Sequence, residues 1–192
     1  MATTAAPYGA RPVGTTSASG SFTGKVTHIK IASAYGTAIN YGDFVKLVTA
    51  GTIELDAGTA TLTPIGIFMG CSYTDPNSNQ KTFSQKWVAS TSASDAVGYV
   101  IIDPEVLFQM QGDGSIAQTG LGANFAVVQT AGSTTIGTSK NACDASTVAT
   151  TNTLPVKLVD FVDGPTSSVA DSYTDVILKF NVGHQLRNTT GI

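Results

Sequence analysis

From Lys25 onward, apolar and polar positions alternate with a period of two, the spacing of a strand with one buried face. In VTHIKIA (26–32), Val26, His28 and Lys30 lie on one side, and Thr27, Ile29 and Ile31 on the other. In FVKLV (44–48), Phe44, Lys46 and Val48 oppose Val45 and Leu47, behind a turn or bulge signal at Gly42-Asp43. The turn Thr49-Ala50-Gly51 leads into TIELD (52–56), so 44–56 reads as a hairpin. PIGIFMG (64–70) is a short apolar run bounded by Pro and Gly, as expected of a strand covered on both faces. Ile65, Ile67 and Met69 would face one way, and Gly66, Phe68 and Gly70 the other, leaving Cys71 as a wall residue.

Further strands are predicted in KTFSQKWVAS (81–90), AVGYVIID (96–103), LPVKLVDFV (154–162) and SYTDVILKFNVGHQ (172–185). Asp103-Pro104 resembles a helix start, but Val106, Phe108 and Met110 alternate with Leu107, Gln109 and Gln111, which reads as a strand. The stretch 115–129 holds one short helix before a strand over Phe125–Gln129, and 130–152 reads as a long surface loop. About nine or ten short strands, with turn signals every eight to twelve residues, predict an all-β fold. The expected architecture is an antiparallel β-barrel or a jelly-roll-like sandwich. Residues 1–24, rich in Ala, Thr, Ser, Gly and Pro, read as an extended N-terminal arm or a disordered tail. A single β domain then spans 25–185, and 186–192 forms a C-terminal tail.

Composition narrows the function classes. Charged residues are only 12% of the 192, about half the usual share, so Ser, Thr, Asn, Gln and Gly must cover the surface. The net charge of −3, with no basic cluster, gives little to neutralise phosphates, so no nucleic-acid partner is expected. No apolar run reaches the ~20 residues of a membrane span, and the N-terminus lacks the basic start and apolar core of a secretory signal. A soluble protein that enters no membrane is expected. Cys71 and Cys143 match no metal or redox spacing; they read as buried thiols, or as a disulfide if the fold joins them.

Catalytic constellations are sparse. Cys71 or Ser72 would need His28 or His184 as a base, and no strained G-x-S-x-G turn is present. Asp103 with Glu105, and Glu54 with Asp56, are weak candidates for paired carboxylates. Asp75-x-Asn77-x-Asn79 starts like a calcium loop but lacks the later glycine and glutamate, so it reads as an Asx-rich turn. Asn188-Thr189-Thr190 fits a glycosylation sequon by chance. No enzyme activity, cofactor, metal or small-molecule substrate is therefore expected. Extended ends and an uncharged polar surface point instead to contact with other proteins.

Four stretches carry a family resemblance: AAPYGARPV (5–13), YGDFVKLVTAGTIELDAGTATLTPIGIFMGCSYTDP (41–76), SQKWVASTSASDAVGYVIIDPEVLFQMQGDG (84–114), and the pair LPVKLVDFV and DSYTDVILKFNVGHQ within 154–185. Together they resemble structural proteins of tailed bacteriophages, notably marine and cyanobacterial ones, that decorate or cement the capsid. The resemblance implies a homotrimer, made in the host cytoplasm, that binds the outer surface of the capsid. There it would reinforce contacts between major capsid subunits. On this reading Pro7, Tyr8, Arg11 and Pro12 anchor the arm, and Leu186, Arg187 and Ile192 anchor the tail. The alternative within virion proteins is a tail, fibre or receptor-binding component.

Overall fold

The computed structural model describes residues 3–17, 24–188 and 191; Ile192 and the threonines of the sequon lie outside the described residues. The strands are β1 (Arg11–Thr15), β2 (Thr27–Lys30), β3 (Ile39–Asn40), β4 (Phe44–Leu47), β5 (Ile53–Leu55), β6 (Gly66–Thr74), β7 (Lys81–Ser84), β8 (Lys86–Trp87), β9 (Val97–Ile101), β10 (Val106–Gln111), β11 (Asn124–Phe125), β12 (Val127–Val128), β13 (Ala142–Cys143), β14 (Val156–Phe161) and β15 (Asp175–Phe180). Helical structure among the described residues is limited to three single 3-10 turns, at Gln118–Gly120, Ala145–Thr147 and Gln185–Arg187.

A five-stranded sheet runs β1-β10-β15-β14-β11, and a six-stranded sheet runs β2-β9-β6-β4-β5 with β7 also paired to β6. The pairings within both are antiparallel. Neither sheet closes into a barrel among the described residues, so the sandwich is the architecture observed.

The first core lies between the two sheets. Phe108, Met110, Leu158, Leu178 and Phe180 of the five-stranded sheet meet Phe44, Ile67 and Ile101 of the other. The Phe44 ring lies 5.7 Å from both Phe108 and Phe180, which are 4.9 Å apart, in edge-on or tilted contacts that favour aromatic packing. Truncating Phe108 to Ala would cost about 3–5 kcal/mol. A second core covers the opposite face of the six-stranded sheet, where Val45, Phe68, Cys71 and Val100 pack beneath Ile39 and Trp87 of the small β3–β8 ladder. Burial on both faces explains why β6 reads as a continuous apolar run.

A β-bulge in β6 determines where Cys71 points. Ile67 and Met69 pack on the first core and Phe68 on the second, as alternation requires. Strict alternation would send Cys71 to the side of Ile67. The register against β9 shifts between Phe68 and Gly70 instead, and Cys71 and Tyr73 join Phe68 in the second core. Gly70 makes this possible: its φ is 136°, and a Cβ there would lie 2.8 Å from the Ser84 carbonyl oxygen.

Several expected boundaries move. The strand predicted over 81–90 bends at Gln85, so β7 pairs with β6 while β8 pairs with β3. The strand predicted over 125–129 breaks at Ala126, so β11 pairs with β14 and β12 with β13. Asp103-Pro104-Glu105 is a turn, in which the Glu105 N–H donates to Asp103 Oδ1 at 2.9 Å, and the strand begins only at Val106. The segment 130–152 is not simply a surface loop: Ser139, Asn141 and Cys143 are fully or almost fully buried. Small polar side chains allow this, because Asn141 Nδ2 donates to buried Asp43 Oδ1 at 3.3 Å and satisfies both groups inside the protein. Cys71 and Cys143 belong to different cores and are free thiols.

Candidate functional site

The N-terminal arm is extended, but much of it belongs to the body. Arg11–Thr15 forms the edge strand β1 of the five-stranded sheet, pairing Arg11 with Gln109 and Thr15 with Val106. Ala10 is fully buried in the first core. Gly9 N–H donates to the Asn141 carbonyl at 3.2 Å and Ala10 N–H to the Gly42 carbonyl at 2.9 Å. The close approach needs glycine: Gly9 has φ 75°, and a Cβ there would meet Ser139 Cβ at 2.4 Å.

Ahead of Gly9, side chains of the sheet hold the backbone. Ala6 N–H donates to Gln111 Oε1 at 2.7 Å, and Gln111 Nε2 donates to the Thr4 carbonyl at 3.4 Å. The amide of Gln111 thus stands in for a backbone partner. Tyr8 Oη donates to Asp175 Oδ1 at 3.0 Å, and the Arg11 guanidinium lies 4.1 Å from the Tyr8 ring centre, a cation–π distance. Burial, reinforced by Asp175, raises the Tyr8 phenol far above its ordinary value, and burial also raises the Asp175 carboxyl. The phenol therefore remains a donor throughout the neutral range. Of the predicted arm residues, Tyr8 and Arg11 are brought together. Pro7 is half-buried beside them in sequence, and Pro12 sits in β1, where it removes one backbone donor from the sheet edge.

The register of β1 shifts between Pro12 and Gly14. Val13 is the residue left without a cross-strand partner, and it is 48% exposed. A proline and a bulge blunt this edge against indiscriminate strand pairing while turning an apolar side chain outward.

The C-terminal segment is held in a parallel manner. Gln185 Oε1 accepts from Leu47 N–H at 2.7 Å and Gln185 Nε2 donates to the Leu47 carbonyl at 2.9 Å, a second side-chain amide pairing with backbone. Arg187 donates to the Phe180 and Pro104 carbonyls at 3.4 and 3.2 Å and forms an ion pair with Glu105. The other Glu105 oxygen accepts from the Thr16 hydroxyl. These partners hold the Glu105 carboxyl below its usual range, Thr16 first and Arg187 after it. One carboxylate at the start of β10 thus joins both ends of the chain. Leu186 between these anchors is 56% exposed.

The sequence-predicted chemical candidates are placed as follows. Cys71 is buried, its thiol donates to the Lys86 carbonyl at 3.2 Å, and burial pushes it up to about 12. Burial raises Cys143 still further. His28 packs on Tyr99 with ring centres 4.8 Å apart. His184 is buried against Phe180, and burial, then the Arg187 charge, lowers it to about 4. Its Nδ1 accepts from Leu186 N–H at 3.3 Å. Tyr73 and Trp87 are buried against each other at 5.5 Å, and Trp87 Nε1 donates to the Tyr35 carbonyl. Asp75 accepts from Asn77 N–H at 2.7 Å, the Asx turn that its sequence predicts. No group of three or more His, Cys, Asp or Glu side chains suited to a metal occurs among the described residues.

The body residues Gln111, Asp175, Gln185 and Glu105 were not singled out as anchors in the sequence. The polar positions of β10 carried a signal, since Gln109 and Gln111 interrupt apolar neighbours on the sheet's outer side. Comparison with protein-family models, curated proteins and solved structures finds no match.

Proposed function

We propose that this chain is a structural virion protein that binds the outer surface of a phage capsid and reinforces contacts between major capsid subunits. The observation that carries the reading is the arrangement of the ends. The N-terminal segment is laid along β10, the C-terminal segment is held against Leu47 of β4, the two are joined at Glu105, and each turns an apolar side chain outward, Val13 from one and Leu186 from the other. An uncharged polar surface supports it, since such groups can be buried against a neighbour without the desolvation cost of ions. Acting as a homotrimer, the protein would grip several subunits at once, so that full release requires many simultaneous losses.

The test is co-sedimentation with empty phage heads that lack the protein. Removing residues 1–24 would strip β10 of one of its two partner strands, β1, so the informative variant keeps the strand and changes its outward side chain. Saturable binding that weakens in a Val13→Asp, Leu186→Asp double variant is expected. An absence of binding by the unmodified chain would turn the assignment toward a tail, fibre or receptor-binding role.

A further inference from the structure

Four separate segments converge on an open cleft of about 400 Å³, lined by Tyr8, Arg11, Tyr41, Gln85 and Thr138. The volume falls within the range of small-molecule sites. Tyr8 and Arg11 come from the N-terminal arm, Tyr41 follows β3, Gln85 is the bend between β7 and β8, and Thr138 lies in the segment once expected to be a surface loop. We propose that this cleft binds an acidic saccharide, one whose ring carries a carboxylate.

The chemistry of the lining carries the proposal. Arg11 brings a guanidinium, the group best shaped to accept a carboxylate through paired hydrogen bonds. Among the described residues it forms no ion pair; its close contact is the face of Tyr8 at 4.1 Å. The Tyr41 hydroxyl, the Gln85 amide and the Thr138 hydroxyl likewise have no hydrogen-bond partner among the described residues. A cleft wall that offers a hydroxyl, an amide and a second hydroxyl supplies both donors and acceptors, as sugar hydroxyls require. Tyr41 adds an amphipathic ring, whose apolar face and polar tip suit the C–H and O–H sides of a pyranose, while Tyr8, with its hydroxyl on Asp175, supports the Arg11 guanidinium on its ring face.

The lining is also held in place before any ligand arrives. Tyr8 is fixed by its bond to Asp175 at 3.0 Å. Tyr41 N–H donates to the Gly137 carbonyl and Ser139 N–H to the Tyr41 carbonyl, both at 2.9 Å, which locks the Tyr41–Thr138 bridge. Preorganisation of this kind lowers the ordering cost of binding. By contrast, in the neighbouring cleft lined by Asn40, Asp43 and Asn141 the one charged group is committed, because Asp43 already accepts from Asn40 and Asn141.

The experiment is a titration of the isolated ¹⁵N-labelled chain with a glucuronic-acid-containing disaccharide, followed by NMR shifts, with cellobiose as the neutral comparator. No capsid is present, so the result does not depend on the decoration reading. Saturable shifts at Tyr41, Gln85 and Thr138 are expected, with affinity for the acidic sugar at least about tenfold above that for cellobiose. Arg11→Gln should remove most of that preference. Gln85→Ala, on an exposed bend, should weaken binding without changing the thermal midpoint. Absence of saturable shifts in the unmodified chain would overturn the site, equal affinity for cellobiose would overturn the acidic preference, and unchanged affinity in both variants would overturn the assignment to this cleft.

Discussion

Gln111 and Asp175 face each other across the β10–β15 ladder and between them hold three points of the N-terminal segment. Gln111 pairs with the backbone of Thr4 and Ala6, and Asp175 accepts from Tyr8. Tyr8→Phe removes the one donor that Asp175 receives from the arm while preserving the ring beneath Arg11. The cost is expected to be about 1–3 kcal/mol, the range for leaving a partly buried acceptor unpaired. Hydrogen exchange should accelerate at Ala6 and Gly9 well before the amides of β10 and β15. Uniform acceleration across the protein would show that the contact serves the whole fold rather than the arm.

Gly70 offers a sharper backbone test. Its φ of 136° and the Ser84 carbonyl beside it leave no room for a side chain. Gly70→Ala should destabilise the protein by about 1–3 kcal/mol through strain at the bulge, read from the urea midpoint at unchanged slope. If the bulge relaxed without cost, stability would be unaltered, and the orientation of Cys71 would need another cause.

Much of this architecture was legible in the sequence. The alternation in β10 and β15 marked their buried faces, and the apolar run of β6 marked burial on both sides. The misses have a common origin in tertiary pairing. β1 is RPVGT, too short and too rich in Pro and Gly to read as a strand, and it forms because β10 offers an edge. Ala142-Cys143 lies in a run of small polar residues, and the Asp43 and Asn141 network that buries it joins positions 98 residues apart. The predicted anchors Tyr8, Arg11 and Arg187 were identified as residues, but their partners Asp175, Tyr8 and Glu105 were not, because pairing across such separations leaves no local pattern.

The buried thiols give a probe of global unfolding. Burial pushes Cys71 up to about 12 and Cys143 higher, so neither forms appreciable thiolate near neutral pH. Ellman's reagent should label no thiol in the native protein and two in urea. Cys71→Ser keeps a donor to the Lys86 carbonyl and is expected to cost about 1–2 kcal/mol. Rapid labelling of the native state would mean that the second core opens locally.

His184 predicts acid sensitivity. Its folded value of about 4 lies below the ordinary 6.5, so the unfolded chain binds a proton first as pH falls. Stability from this group is complete above pH 6.5, is lost between there and pH 4, and amounts to on the order of 3 kcal/mol at most. Asp43 and Asp175 act with the opposite sign, because burial raises them and the folded state takes up their protons first. The comparison of variants isolates the histidine: His184→Gln should flatten the fall of the thermal midpoint between pH 6.5 and 4. An unchanged acid slope would assign the sensitivity to other groups.

The Glu105 joint predicts coupling between the two ends of the chain. Thr16 and Arg187 share no contact among the described residues except through this carboxylate, which accepts from both. Because the Arg187 and Glu105 side chains are 29% and 41% exposed, solvent screening limits the ion pair to less than about 1 kcal/mol. Global stability should therefore move little in Glu105→Gln. Local behaviour should move more, with faster exchange at both Thr16 and Arg187, whose amides close the β1 edge and the last 3-10 turn. Arg187→Met should loosen the C-terminal turn and, by leaving Glu105 with one partner, also quicken exchange at Thr16. A double-mutant cycle of Thr16→Val with Arg187→Met measures the link directly: a coupling energy distinguishable from zero, shrinking in high salt, is expected. Strict additivity would mean that the two ends are held independently and that Glu105 merely lies between them.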